Sequence, residues 1–257
     1  MAEEPIKLFA TRAERYPQPD DTDIAHGAAR VALSAIPVLG GSITELFSQV
    51  VAPALVRRRD QWFKELADAL DELGSKVDGF NVNSLIDNDS FISATLQATL
   101  IAATTHRREK REMLRNALLN IAVERGPGEE LQEVFLNAIE SLSCSHVKVL
   151  KVIWNGTADL HRQGFWVPGA PSTVRDYGTA FEILVPELKG QVAFVQCILN
   201  DLRNRGFSNL SGPDAVFPQG SVITNLGIQF LHFVLEAPSS TARHDAAQDG
   251  DAGQDHP

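Results

Sequence analysis

Apolar residues recur at intervals of three and four along most of this chain. No run of alternating apolar and polar positions occurs between residues 24 and 140, so that half is predicted all-α. Asp21, Thr22 or Asp23 can cap a first helix, Ile24 to Ala35, which the turn PVLGG (37–41) ends. Ser42 and Glu45 have capping-box spacing for a second helix, expected to run towards Leu73 and to bend at Pro53. Its second part predicts an inward stripe of Trp62, Phe63, Leu66, Ala67, Leu70 and Leu73. DNDS (87–90) caps a third helix, with Phe91, Ile92, Leu96, Leu100 and Ile101 expected inward. The basic run HRREKRE (106–112) leads into a fourth, buried through Met113, Leu114, Ala117, Leu118 and Ile121. After the break ERGPGEE (124–130), a fifth helix presents Leu131, Val134, Phe135, Ala138 and Ile139.

From Leu142 the pattern changes. Ser143 can cap a helix carrying Val147, Leu150, Val152 and Ile153, with Trp154 expected in the core. A Gly/Trp/Pro loop, GFWVPGAPS, follows, then helices near 173–185 and 189–204. Phe207–Leu210 and Val222–Thr224 are two short β-like pieces around SGPDAVFPQGS, and Thr224 or Asn225 caps a last helix burying Leu226, Phe230, Leu231 and Val234. A helix ending in Arg and Gly, a short extended excursion and a closing apolar helix is the ending of a winged helix-turn-helix. The fold class expected is therefore mainly α. A flexible arm (1–22) precedes a helical bundle (23–140), a winged-helix-like domain (141–236) and a disordered acidic tail (237–257), the last too poor in apolar surface to fold.

The strings ILNDLRNRGF and TxxGxxF (Thr224, Gly227, Phe230), with LQEVFLNAIESL and SCSHVKVLKVI upstream, resemble the closing region of bacterial abortive-infection-alpha-like proteins. The resemblance spans about residues 85–235. It implies a bacterial protein linked to phage defence, without a known catalytic site.

Composition narrows the functions. The net charge is −10, and Ser143–Glu236 carries seven Lys and Arg against seven Asp and Glu. Nucleic-acid binding by bulk electrostatics is therefore not expected, and the wing has no basic residue to enter a minor groove. If a groove were read, Lys189, Asn200, Arg203 and Arg205 would be the contacts. From Val31 to Val56 the one charged side chain is Glu45, and Arg57, Arg58 and Arg59 follow. Val38, Leu39, Leu46, Phe47 and Val50 could form a membrane hairpin anchored by those arginines, with the buried bundle as the competing reading. Phe165 and Trp166, in a Gly/Pro loop, are candidate anchors for a protein partner. Cys144 and Cys197 are too few for a four-ligand metal site, and no nucleotide-binding, metalloprotease or hydrolase motif occurs. No cofactor, metal or catalytic residue is predicted. The apolar start of a secretion signal is lacking, so a cytoplasmic protein is expected, peripheral to the inner membrane in the hairpin reading. The function expected is a non-catalytic interaction or effector module for an unidentified protein partner. A membrane-disrupting effector built on 24–56 and a winged-helix DNA-binding regulator are the alternatives.

Overall fold

The computed structural model describes residues 41–165, 174–218 and 222–238. Helix Ile24–Ala35, the PVLGG turn, Val38, Leu39, Trp166 and the tail beyond 238 lie outside the described residues, as do the side chains of Leu46, Phe47 and Val50. The chain is mainly helical. It divides into two units, 1–61 and 62–257.

Helix α1, Gly41–Lys76, begins in the first unit and ends in the second. It continues through Pro53, which is exposed. Arg57 to Arg59 stand on this helix, and Arg59 pairs with Asp60 at 2.9 Å. Among the described residues no helix is long and apolar enough to cross a membrane.

Among the described residues the second unit contains the helices α2 (Asp89–Thr104), α3 (Arg108–Ala122), α4 (Glu129–Ser141), α5 (Cys144–Arg162), α6 (Tyr177–Leu184), α7 (Val192–Asn204) and α8 (Asn225–Leu235). Short 3-10 helices, Val82–Asp87 and Pro186–Leu188, precede α2 and α7. The sixth helix and the seventh are thus both shorter than their predicted spans. Asn88, Asp176 and Thr224 each accept a backbone N–H in the first turn of the helix they precede, which fixes where α2, α6 and α8 start.

Helix α3 organises the core. It packs on α2, α4 and α8, and is buried on almost every side from Met113 to Ala122. Asn116 and Asn120, polar residues on that buried length, hold the end of α8. Asn116 Nδ2 donates to Val234 O at 3.0 Å, and Asn120 Nδ2 lies 3.1 Å from Phe233 O and 2.8 Å from Glu236 O. Helix α8 also packs on α5, and α5 packs on α6 and α7. One apolar core results, running from Trp62 through Phe135, Leu150 and Phe207 to Val234 across the expected boundary at 140/141.

Several faces differ from the predicted ones. On α1, Trp62, Leu66, Ala69 and Leu73 are buried while Phe63 and Ala67 are exposed. On α2, Phe91, Ala94, Ala98, Ile101 and Ala102 face inward, and Ile92, Leu96 and Leu100 are turned out. Three alanines share the buried stripe with Phe91 and Ile101, and small side chains there favour close helix packing. Val134 on α4 is exposed as well, with Leu136 buried in its stead. Trp154 is half-buried, its ring edge-on to His232 at 5.1 Å. Helix α5 kinks at Asn155 (φ −134°, ψ 19°), ahead of the buried Gly156. The two β-like pieces meet only at one antiparallel bridge, Ser208 with Ile223, and a second bridge joins Asp176 to Val216.

Candidate functional site

The most distinctive local structure is where α7 ends and α8 begins. Gly206 closes α7 in a left-handed conformation (φ +74°), which turns the chain directly into Phe207. Thr224 Oγ1 accepts from Gly227 N at 3.0 Å and donates to Gly206 O at 2.6 Å, so the same hydroxyl caps α8 and ties it to the end of α7. Gly227 lets the two segments touch, because a Cβ built there would stand 2.2 Å from Phe207 O. Phe230, one turn on, stacks on Phe207 at 4.7 Å with the rings 9° apart, and Phe135 closes on both edge-on. The TxxGxxF string is thus a cap, a close approach and a stacking partner.

Helix α7 is held to the loop after it by a side chain predicted to contact nucleic acid. Arg203 Nη2 donates to Leu210 O and to Ser211 O, both at 2.7 Å. Arg205 Nη2 donates to Ser141 Oγ at 2.8 Å, joining α7 to the end of α4. Asn200 Oδ1 accepts from Gln196 Nε2 at 3.1 Å. Lys189 is exposed in the turn before α7. Both arginines that would grip phosphates therefore have acceptors within their own chain. The first turn of α7 shows solvent something else: Val192 is 63% exposed and Phe194 42%, with Ala193 and Cys197 exposed beside them.

On the α5 side of α7 lies a group that the sequence reading missed. Ser143 N–H donates to His146 Nδ1 at 3.2 Å, which makes Nδ1 an acceptor, and Ser143 Oγ is 2.8 Å from the same nitrogen. The proton then sits on Nε2, which donates to Asp201 Oδ2 at 3.1 Å. Serine, histidine and aspartate here form a capping box, with His in the place usually taken by Glu, extended into an α5–α7 tie. The spacing SxxH ahead of an apolar helix was its signal. Both nitrogens of His146 are engaged, and Cys144 interacts with Glu109 instead. Burial pushes the Cys144 thiol up, and Glu109 adds to the shift.

The basic run 106–112 is also used internally. Arg108 pairs with Glu112 at 2.9 Å, Arg111 with Glu65 at 3.3 Å, and Lys110 Nζ donates to Glu140 O at 2.6 Å. Burial holds the Lys110 ammonium below its ordinary value. Lys148 pairs with Glu187 at 2.6 Å, and that hydrogen bond raises the lysine and lowers the carboxylate. A cleft of about 450 Å³ lies along α5, lined by Lys148, Lys151, Asp159, Arg162 and Leu184. Two of its three cations have partners, Arg162 on Asp159 and Lys148 on Glu187. No group of three or more His, Cys, Asp or Glu side chains among the described residues is placed to hold a metal ion. Phe165 is exposed just beyond the end of α5.

Against known proteins, no family model, no curated protein and no solved structure matches this chain.

Proposed function

We propose that the region from α5 to α8 is a winged-helix-like module that docks a protein partner on the outward side of α7, without catalysis. The order of elements supports the winged-helix part of this reading. Helix α5, then α6 and α7, then the Ser208–Ile223 bridge around a loop whose Val216 bridges back to Asp176, and last α8, follow in the order of that fold. The docking part rests on one observation. The exposed first turn of α7 is apolar, through Val192 and Phe194, while Arg203 and Arg205 are spent on Leu210, Ser211 and Ser141. A groove reader needs the reverse, with free cations for phosphates and apolar residues withdrawn. An exposed aromatic flanked by small residues is the kind of anchor that protein interfaces bury. The resemblance of TxxGxxF and its flanks to abortive-infection-alpha-like proteins supports an effector in bacterial phage defence as the setting.

Titration of the full chain with a fluorescent DNA duplex at two salt concentrations tests this reading. Weak, non-saturating binding is expected, unchanged by Arg203→Ala. Saturable binding that falls steeply with salt and is lost in Arg203→Ala and Lys189→Ala would assign the module to DNA instead.

A further inference from the structure

Helix α2 has a second face that, among the described residues, stays exposed. Ile92, Leu96 and Leu100 follow one another at intervals of four and are 48%, 64% and 64% exposed. From Ser90 to Thr105 the helix carries no charged residue, although this stripe is the side turned away from the core. Two exposed apolar residues lie on helices tied to α2. Exposed Phe63 is next in sequence to Trp62, whose Nε1 donates to Thr99 Oγ1 at 3.1 Å. Exposed Val134 is one turn before Asn137, whose Oδ1 accepts from Gln97 Nε2 at 2.7 Å. Contiguous apolar surface of this kind marks a contact site.

We propose that this stripe is the seam of a homodimer, in which α2 of one copy packs antiparallel on α2 of a second about a two-fold axis at Leu96. The charges at the helix ends select both the partner and the direction. Asp87 and Asp89 stand at the start of α2, and Arg107 follows its end, next to Arg108, which is paired with Glu112. An antiparallel pair brings each acidic end beside the other copy's basic end and opposes the two helix dipoles, whereas a parallel pair sets like charges together. The spacing is self-complementary about Leu96. Ile92 then falls opposite Leu100 of the second copy, as an isologous contact requires. The surface is small against the roughly 800 Å² per partner of a standard interface, so the dimer is weak, with a dissociation constant in the micromolar range. This proposal does not depend on the docking role of α7.

Sedimentation equilibrium of the full chain, wild type and Leu96→Glu, reads the association. A monomer–dimer equilibrium is expected, weakened at least tenfold by Leu96→Glu with helicity and melting unchanged. Cross-linking with a short bis-maleimide, in a background of Cys144→Ala and Cys197→Ser, reads the register. Leu96→Cys should cross-link with itself, and Ile92→Cys mixed with Leu100→Cys should cross-link better than either alone. A wild-type chain that stays monomeric up to about 100 μM overturns the proposal. So does a dimer indifferent to Leu96→Glu, or Ile92→Cys cross-linking best with itself, which is the parallel register.

Discussion

At Gly227 the distance to Phe207 O leaves no room for a side chain, and the obstructing atom is backbone, which cannot rotate away. Gly227→Ala must push α8 off the end of α7 and unstack Phe230 from Phe207. A loss of about 2–4 kcal/mol is expected in urea unfolding, at the upper end for overpacked sites. A loss below about 0.5 kcal/mol, the range of surface changes, would show that the close approach is not needed. Asn120 is the polar counterpart. Its two amide protons serve the carbonyls of Asn116, Phe233 and Glu236, so Asn120→Leu leaves α8 carbonyls without donors and should cost about 1–3 kcal/mol. The two cysteines separate by environment. Cys144 is half-buried with its thiol pushed up by burial and by Glu109, while Cys197 is exposed on α7. Iodoacetamide followed by mass spectrometry should modify Cys197 first at neutral pH. Because the folded chain holds the Cys144 proton to higher pH than the unfolded chain does, this group's contribution to stability falls as pH rises through the thiol range. At this scale, Thr224, Gly227 and Phe230 were legible as a string, because caps and glycines leave local marks. Asn116 and Asn120 were not, since a buried amide on a helix looks in sequence like any exposed one.

At the level of elements, the existence of each helix followed from caps and three-to-four periodicity, but the direction of α2 did not. Apolar residues lie all round that helix, so periodicity cannot say which side is inward, and bulk favours the wrong one. The side that carries Phe91, Ile101 and the three alanines is the buried one, and small side chains there favour close packing. Two substitutions expose the difference. Ala98→Leu, at a fully buried position, should destabilise by about 1–3 kcal/mol through overpacking, whereas Leu96→Glu should change stability by no more than about 0.5 kcal/mol. Thermal melts that reversed this order would return α2 to the predicted orientation. The polar face of α7 is a second case. Its polar residues were legible as candidates, but their hydrogen bonds to the following loop and to α4 depend on how the chain folds back, which spacing does not encode.

For the second unit as a whole, the core does not stop where the bundle was expected to end. Helix α8 supplies Phe230, Leu231, Phe233 and Val234, all buried, to a core it shares with α3 and α5. The chain therefore closes on itself late. Its overall acidity and the matched charges of Ser143–Glu236 leave little long-range attraction for phosphate, and the docking we propose relies on shape and apolar surface instead. The turn around Phe194 is the exposed apolar surface on which the proposed docking relies. A photo-reactive residue at Phe194, with one at exposed Asp78 as the control, tests that account most directly when expressed in the host and irradiated. The account predicts a discrete protein adduct from position 194 that position 78 does not give and that Val192→Asp abolishes. The same adducts from both positions, or none from 194, would contradict it.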